Sequence, residues 1–143
     1  MTDEEAIRKT VAEFCQLQDD RRFDEFLDIW VEEATFRFLG LVHKGRDNIR
    51  EYLEQFPARR GVHGGFNPVI ETAGDSAQAG ADYIWFDVID GDLQVNSGGR
   101  FNFRLVRNPD RWRIAELEVR LLLSDEEITR RSQRAGAGSG RGA

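Results

Sequence analysis

From Asn67 to Leu123 the chain consists of four β-prone runs, "NPVIETAGD", "SAQAGADYIWFDVIDGD", "LQVNSGGRFNFRLVRNPD" and "RWRIAELEVRLLL". Only Gly-Asp, Asp-Gly-Asp and Asn-Pro-Asp turns separate them. Turns this short join antiparallel neighbours, because a parallel crossover needs about a dozen residues or more. The second half of the chain therefore reads as a meander of four antiparallel strands filling roughly residues 66–122.

A meander needs cover on at least one face, and the first half of the chain provides helices for it. Thr2-Asp3-Glu4-Glu5 has the form of a capping box. Ile7, Val11, Phe14 and Cys15 follow at helical spacing, and Asp19 extends the row Val11, Cys15 to the edge of that stripe. Phe23, Phe26, Leu27 and Trp30 mark a second helix; Ile49, Tyr52, Leu53 and Phe56 mark a third, which Pro57 stops. These helices are expected over roughly 3–18, 22–30 and 46–56. Between the last two, "ATFRFLGLVHKG" reads as a strand and a turn, with His43 exposed in that turn. Ser124-Asp125-Glu126-Glu127 resembles a second capping box and opens a short helix through Arg131. The remaining stretch, "RAGAGSGRGA", is Gly-rich with nothing to bury, so residues 132–143 are expected to be a disordered, dispensable tail after a domain spanning 1–131. The expected fold is α+β: three N-terminal helices packed on a curved, mainly antiparallel sheet, a cone with a pocket between helices and sheet.

Charge and composition remove several functions. The 143 residues carry a net charge of -6, which disfavours a nucleic-acid partner. No apolar run approaches the roughly 20 residues that span a bilayer. The start, "MTDEEAIRK", has no apolar signal-peptide stretch, and the single Cys15 suits a reducing, cytoplasmic setting. With one cysteine and two histidines, a zinc site would need unusual carboxylate help, so no metal is expected.

The order and spacing of several short pieces then resemble the SnoaL-like branch of the NTF2-like superfamily. These are Asp19 before "DRRFDEFLDIW", the strand "ATFRFLG", "HKGRDNIREYL", "HGGFNPVI", "GGRFNFRLVR" and "RWRIAELEV". The resemblance covers residue 3 to about residue 121 and implies the cone. That fold hosts dehydratases, a dehydrochlorinase, ketosteroid isomerases, polyketide cyclases and dioxygenase β subunits, so it does not by itself imply one activity. Members similar to scytalone dehydratase and to the dehydrochlorinase use an Asp–His dyad. Their Asp ends the first helix and their His precedes a strand in a His-x-x-x-Asn pattern. Asp19 matches the first position; His63, with Asn67 four residues on, matches the second. Where many relatives carry a tyrosine five residues before the Asp, this chain has Phe14, so a tyrosine hydroxyl would have to come from elsewhere, such as Tyr83.

The resemblance thus implies a cofactor-free lyase of dehydratase type, with His63 as general base and Asp19 orienting it, acting on a small hydrophobic ring compound. Phe14, Phe36, Tyr83 and Trp85 would bind the substrate. An isomerase or cyclase using the same base, and a non-catalytic binding or subunit-pairing module, remain alternatives. Read from the residues alone, Asp19 can also be a helix end and His63 a solvated loop residue. Asp20 can exchange roles with Asp19 or cap the second helix, and Cys15 can be a nucleophile or a buried thiol. Alternation puts Tyr83, Trp85 and Asp87 on one face of their strand and Ile84, Phe86 and Val88 on the other, leaving open which face meets the helices. Both faces being apolar, a homodimer through the sheet is expected.

Overall fold

The computed structural model describes residues 1–56, 58 and 61–141, with backbone alone from residue 134 onward. The elements run α1 (Asp3–Asp19), α2 (Phe23–Asp28), β1 (Trp30–Phe38), β2 (Leu41–Lys44), α3 (Arg46–Glu54), β3 (Gly61–Ala73), β4 (Ser76–Ile89), β5 (Asp92–Arg107), β6 (Trp112–Leu121) and α4 (Asp125–Arg141). The six strands form one sheet in the order β2-β1-β6-β5-β4-β3. The meander β3–β6 is antiparallel throughout, whereas β1 pairs with β6 in parallel. This is the α+β cone that the sequence implies, with one strand added. The short β2 pairs with β1 through Phe36↔His43, so "LGLVHKG" is a hairpin rather than a strand followed by a turn.

His43 is accordingly not an exposed turn residue. It lies on β2 with its ring stacked at 3.9 Å on Tyr52 of α3, and burial lowers its imidazole below the usual histidine value.

The three N-terminal helices form on their apolar stripes, but α2 ends at Asp28, and Trp30, expected on it, opens β1 instead. In α1, Thr2 accepts from the Glu5 amide and Glu5 reaches back to the Thr2 amide, closing the capping box. Ile7, Val11, Phe14 and Cys15 are buried along one side. Phe14 is the hub of the core, with the rings of Phe26, Trp30, Phe101 and Phe103 between 5.1 and 6.1 Å away. Such an aromatic cluster joins α1, α2, β1 and β5 through large apolar areas. On β4, Ala77, Ala79, Ala81, Tyr83, Trp85 and Asp87 are buried and the alternate residues are not. Tyr83 and Trp85 therefore face the helices, and Ile84 and Phe86 the outside.

Asp20 does not cap α2. It is the C-cap residue of α1, and the α2 N-cap is Arg22, which makes no side-chain capping bond. The terminal helix also runs further than its glycines suggest, to Arg141 instead of Arg131. Ser124 caps its start, Ile128 is buried against the body, and Arg131 donates to the Asn96 carbonyl. With the first turns docked, adding further turns no longer carries the nucleation penalty. The expected tail at 132–143 thus begins as helical backbone, and its last two residues lie outside the described ones. Among the described residues no helix is long and apolar enough to cross a membrane.

Gly99, in β5, is sterically obligatory. A Cβ on Gly99 would sit 1.9 Å from the Arg120 carbonyl oxygen, a backbone atom that cannot step aside without unpairing β5 from β6. Gly99→Ala is expected to destabilise by ~2–3 kcal/mol, seen as a melting temperature roughly 5–10 °C lower. An unchanged melting curve would contradict so close an approach of β6 to β5.

Candidate active site

Asp19 ends α1 one turn beyond Cys15, so the buried stripe carries it to the rim of the core. His63 lies on β3 itself rather than in a loop ahead of it, facing Trp85 across the β3–β4 pair. The strand extends back to Gly61 because it passes through a bulge between Phe66 and Val69, where Asn67 adopts φ 54. Asn is among the few side chains that tolerate that left-handed conformation. Its amide also donates to Asp82, which explains physically why an asparagine stands four residues after the histidine.

β3 is an edge strand, so N–H groups on its free side have no sheet partner. Asp19 takes one of them. Its Oδ2 accepts from the His63 backbone N–H at 2.9 Å, and its Oδ1 lies 2.5 Å from His63 Nδ1. One carboxylate therefore holds both the backbone and the ring of the same residue. A carboxylate only accepts, so Nδ1 carries a ring hydrogen, and in the neutral ring it is Nε2 that holds the free lone pair. The side chains are 15% and 10% exposed for His63 and Asp19, which limits the water competing for this bond.

Aromatic groups fix the other side of the imidazole. The Trp85 ring centroid is 4.4 Å from it, and those of Tyr83 and Phe101 are 6.2 and 6.3 Å away. Tyr83 stacks on Phe101 at 4.2 Å. Trp85 can fold over the start of β3 only because residue 61 is glycine: a Cβ there would lie 2.7 Å from its ring. Burial pushes the Tyr83 phenol up to about 12, an effect that the neighbouring Ser97 side chain partly offsets. Tyr83 is thus a hydrogen-bond donor over the whole working pH range.

These groups line a cavity of about 120 Å³ whose walls include Asp19, His63, Phe14, Phe36, Tyr83 and Trp85. All six residues singled out from the sequence come together there. The wall also contains Gln18, Arg21, Asn96, Ser97 and Ser132, which sequence reasoning missed. Asn96 and Ser97 are hidden by a bulge. Trp85 pairs with Ser97 and Phe86 with Val95, so Asn96 is an extra residue and both it and Ser97 turn inward. Strict alternation cannot reveal that pair.

Cys15 is not among the cavity walls, and its thiol is pushed up to about 12, first by burial and then by the Asp19 charge. It is a core thiol rather than a nucleophile. The native protein is expected to resist iodoacetamide at pH 8–9 and to label fully in denaturant; rapid native labelling, read by mass spectrometry, would contradict this placement.

Among the described residues, no group of three or more His, Cys, Asp and Glu side chains gathers as a metal site. No curated protein matches the chain in sequence. Solved structures match it closely in shape. An NTF2-like protein with a cystatin-like fold from Novosphingobium aromaticivorans superposes with a TM-score of 0.79 at 24% identity, covering 84% of this chain and 82% of the other. A Mycobacterium tuberculosis protein of unknown function gives 0.76 at 20% identity, covering 92% and 94%. A provisionally assigned scytalone dehydratase from N. aromaticivorans gives 0.74 at 17% identity, with 84% of each chain covered. At these identities the likeness establishes the fold alone. The family model of the SnoaL-like domain matches residues 1–118, most of the chain, and the protein belongs to the SnoaL-like domain family.

Proposed function

We propose that the protein is a cofactor-independent lyase of dehydratase type acting on a small, largely hydrophobic ring compound. The observation that carries this reading is the Asp19–His63 pair in the wall of a partly open aromatic cavity. The size of the cavity supports the substrate class. At about 120 Å³ it is comparable to an engineered cavity of ~150 Å³ that takes up benzene, so it suits one ring.

The chemistry follows from the tautomer. Nε2 removes a proton from a carbon next to a carbonyl, and the electrons of that C–H bond move towards the carbonyl oxygen as an enolate. Tyr83 is the available neutral donor to that oxygen, in the part that a tyrosine at position 14 would otherwise play. Collapse of the enolate forms the C=C bond and expels hydroxide from the next carbon. The proton on Nε2 passes to the departing oxygen, so water leaves and the imidazole returns to its starting state. Throughout, Asp19 holds Nδ1–H and stabilises the transient imidazolium.

The test is a panel of single-ring β-hydroxy ketones, followed by the absorbance of the conjugated enone. Formation with the native protein and not with His63→Ala supports the lyase. Exchange of the α-hydrogen for deuterium without loss of water would assign an isomerase or cyclase using the same base. If neither occurs, the protein is a binding or subunit-pairing module. One structural neighbour is the β subunit of a provisionally assigned aromatic-ring-hydroxylating dioxygenase.

The outer face of the sheet supports a homodimer as the working form, and the free thiol suits a cytoplasmic setting. Val62, Phe66 and Val95 are 51%, 41% and 56% exposed beside the half-buried Ile84 and Phe86. A contiguous apolar patch of this kind is uncommon on a monomer. Sedimentation is expected to show a dimer at tens of micromolar, within the reach of ordinary affinities; a monomer there would remove this part of the proposal.

A further inference from the structure

We infer that Arg21 is an anion receptor at the rim of the cavity, and that the ring compound bound there carries a carboxylate or a comparable oxyanion. This rests on reading the cavity as the substrate site. The first observation is where the arginine stands. α1 closes with the Arg22 amide bonded to the Leu17 carbonyl at 2.9 Å and the Arg21 amide to the Gln18 carbonyl at 3.0 Å. That is the Schellman arrangement, and its left-handed residue, normally glycine, is Arg21 with φ 54. Arginine has no short polar side chain to ease this conformation, as asparagine and aspartate do. A strained residue in a cavity wall points to a requirement for its side chain.

The second observation is the state of the guanidinium. One nitrogen, Nη1, donates to the Phe56 carbonyl at 3.3 Å, and the guanidinium carbon lies 5.1 Å from the centre of the Phe23 ring. Both contacts orient the fork without neutralising it. Among the described residues it has no carboxylate within 4 Å. Every other described arginine side chain has one, except Arg46, which donates to the Trp30 carbonyl. Asp19, nearby in sequence, has both oxygens committed to His63. In a chain of net charge -6, an arginine left without an acidic partner at a cavity mouth is the exception. Its planar fork suits a carboxylate held by two parallel bonds. With the anion at the mouth, the apolar ring lies among Phe14, Phe36, Tyr83 and Trp85, and the receptor orients it towards the base.

Benzoate and benzamide share ring and shape and differ in charge, so they serve as probes. Titration followed by calorimetry or NMR is expected to show the native protein binding benzoate at least tenfold more tightly than benzamide. Arg21→Gly should lose that preference while melting no lower than the native protein, because glycine relieves the cap. His63→Ala should keep the preference, since the base is not the receptor. No preference in the native protein, or a preference retained in Arg21→Gly, overturns the inference. So does a loss accompanied by a melting temperature several degrees lower, which would make Arg21 a structural strut. Turnover of carboxylate-bearing rings that depends on His63 but not on Arg21 would remove the receptor and leave the lyase. An Arg21-dependent preference without any turnover would remove the lyase and leave the receptor.

Discussion

Replacing His63 by alanine is expected to lower turnover of the ring substrate by about 10²–10⁴-fold, the range that a positioned general base contributes. Apart from Asp19, which is bonded to His63 in the native protein, the cavity wall holds no second described group that could accept the proton. Tyr83 is held protonated by burial, and both oxygens of Asp19 point at His63. The backbone N–H of residue 63 survives the substitution and keeps its bond to Asp19, so β3 should stay docked on α1. Truncation does open space beside Trp85 and leaves one Asp19 oxygen without its ring partner. A stability loss of ~1–3 kcal/mol is the usual scale for such an oxygen. Free imidazole at millimolar concentration should then restore part of the activity, because it can fill the opened space and supply the missing base. Undiminished turnover in His63→Ala would dismiss the dyad. Loss of turnover together with loss of the near-ultraviolet signal of the aromatic core would instead make His63 a packing residue.

How much of this site could be read in the sequence depended on whether its signal was local. Asp19 and His63 were legible through the resemblance: periodicity only placed Asp19 at the end of the Val11–Cys15 row, and it was the family's His-x-x-x-Asn pattern that singled out His63. The face of β4 was not, because alternation fixes which residues share a side and leaves the sign open; only the packed helices show that Tyr83 and Trp85 point inward. β2 has four residues and escaped because Gly40 and the short "LVHK" run read together as a turn. The parallel pairing of β1 with β6 joins segments far apart in the chain, and no local pattern announces it. Asn96 entered the cavity through a bulge that breaks the period on which strand reading rests. Arg21 was invisible for the opposite reason: a helix stop is recognised by its glycine, and here the glycine position holds an arginine.

Asp19→Asn should separate shape from chemistry more sharply than any other single change. The variant amide has one acceptor and one donor where the carboxylate has two acceptors. Two orientations are open to it. If the amide nitrogen faces the backbone N–H of His63, two donors oppose each other in a half-buried site, an arrangement that costs about 1–3 kcal/mol. If instead the oxygen keeps the backbone N–H, the amide nitrogen donates to Nδ1. The second orientation satisfies every group and is the one expected, so the fold should be nearly as stable as the native protein. Its chemical effect is large, because an Nδ1 that accepts must leave the ring hydrogen on Nε2. The nitrogen available to substrate then has no lone pair to take a proton. Turnover is expected to fall by about 10²–10⁴-fold with little change in substrate affinity, since the group lost acts in the proton transfer. Nitrogen-15 NMR of the imidazole reads the cause directly: the native ring should be protonated at Nδ1, and the variant ring at Nε2. An Asp19→Asn protein that turns over within a few-fold of the native rate, or whose ring stays protonated at Nδ1, would mean that Asp19 holds β3 to α1 and does nothing for a base.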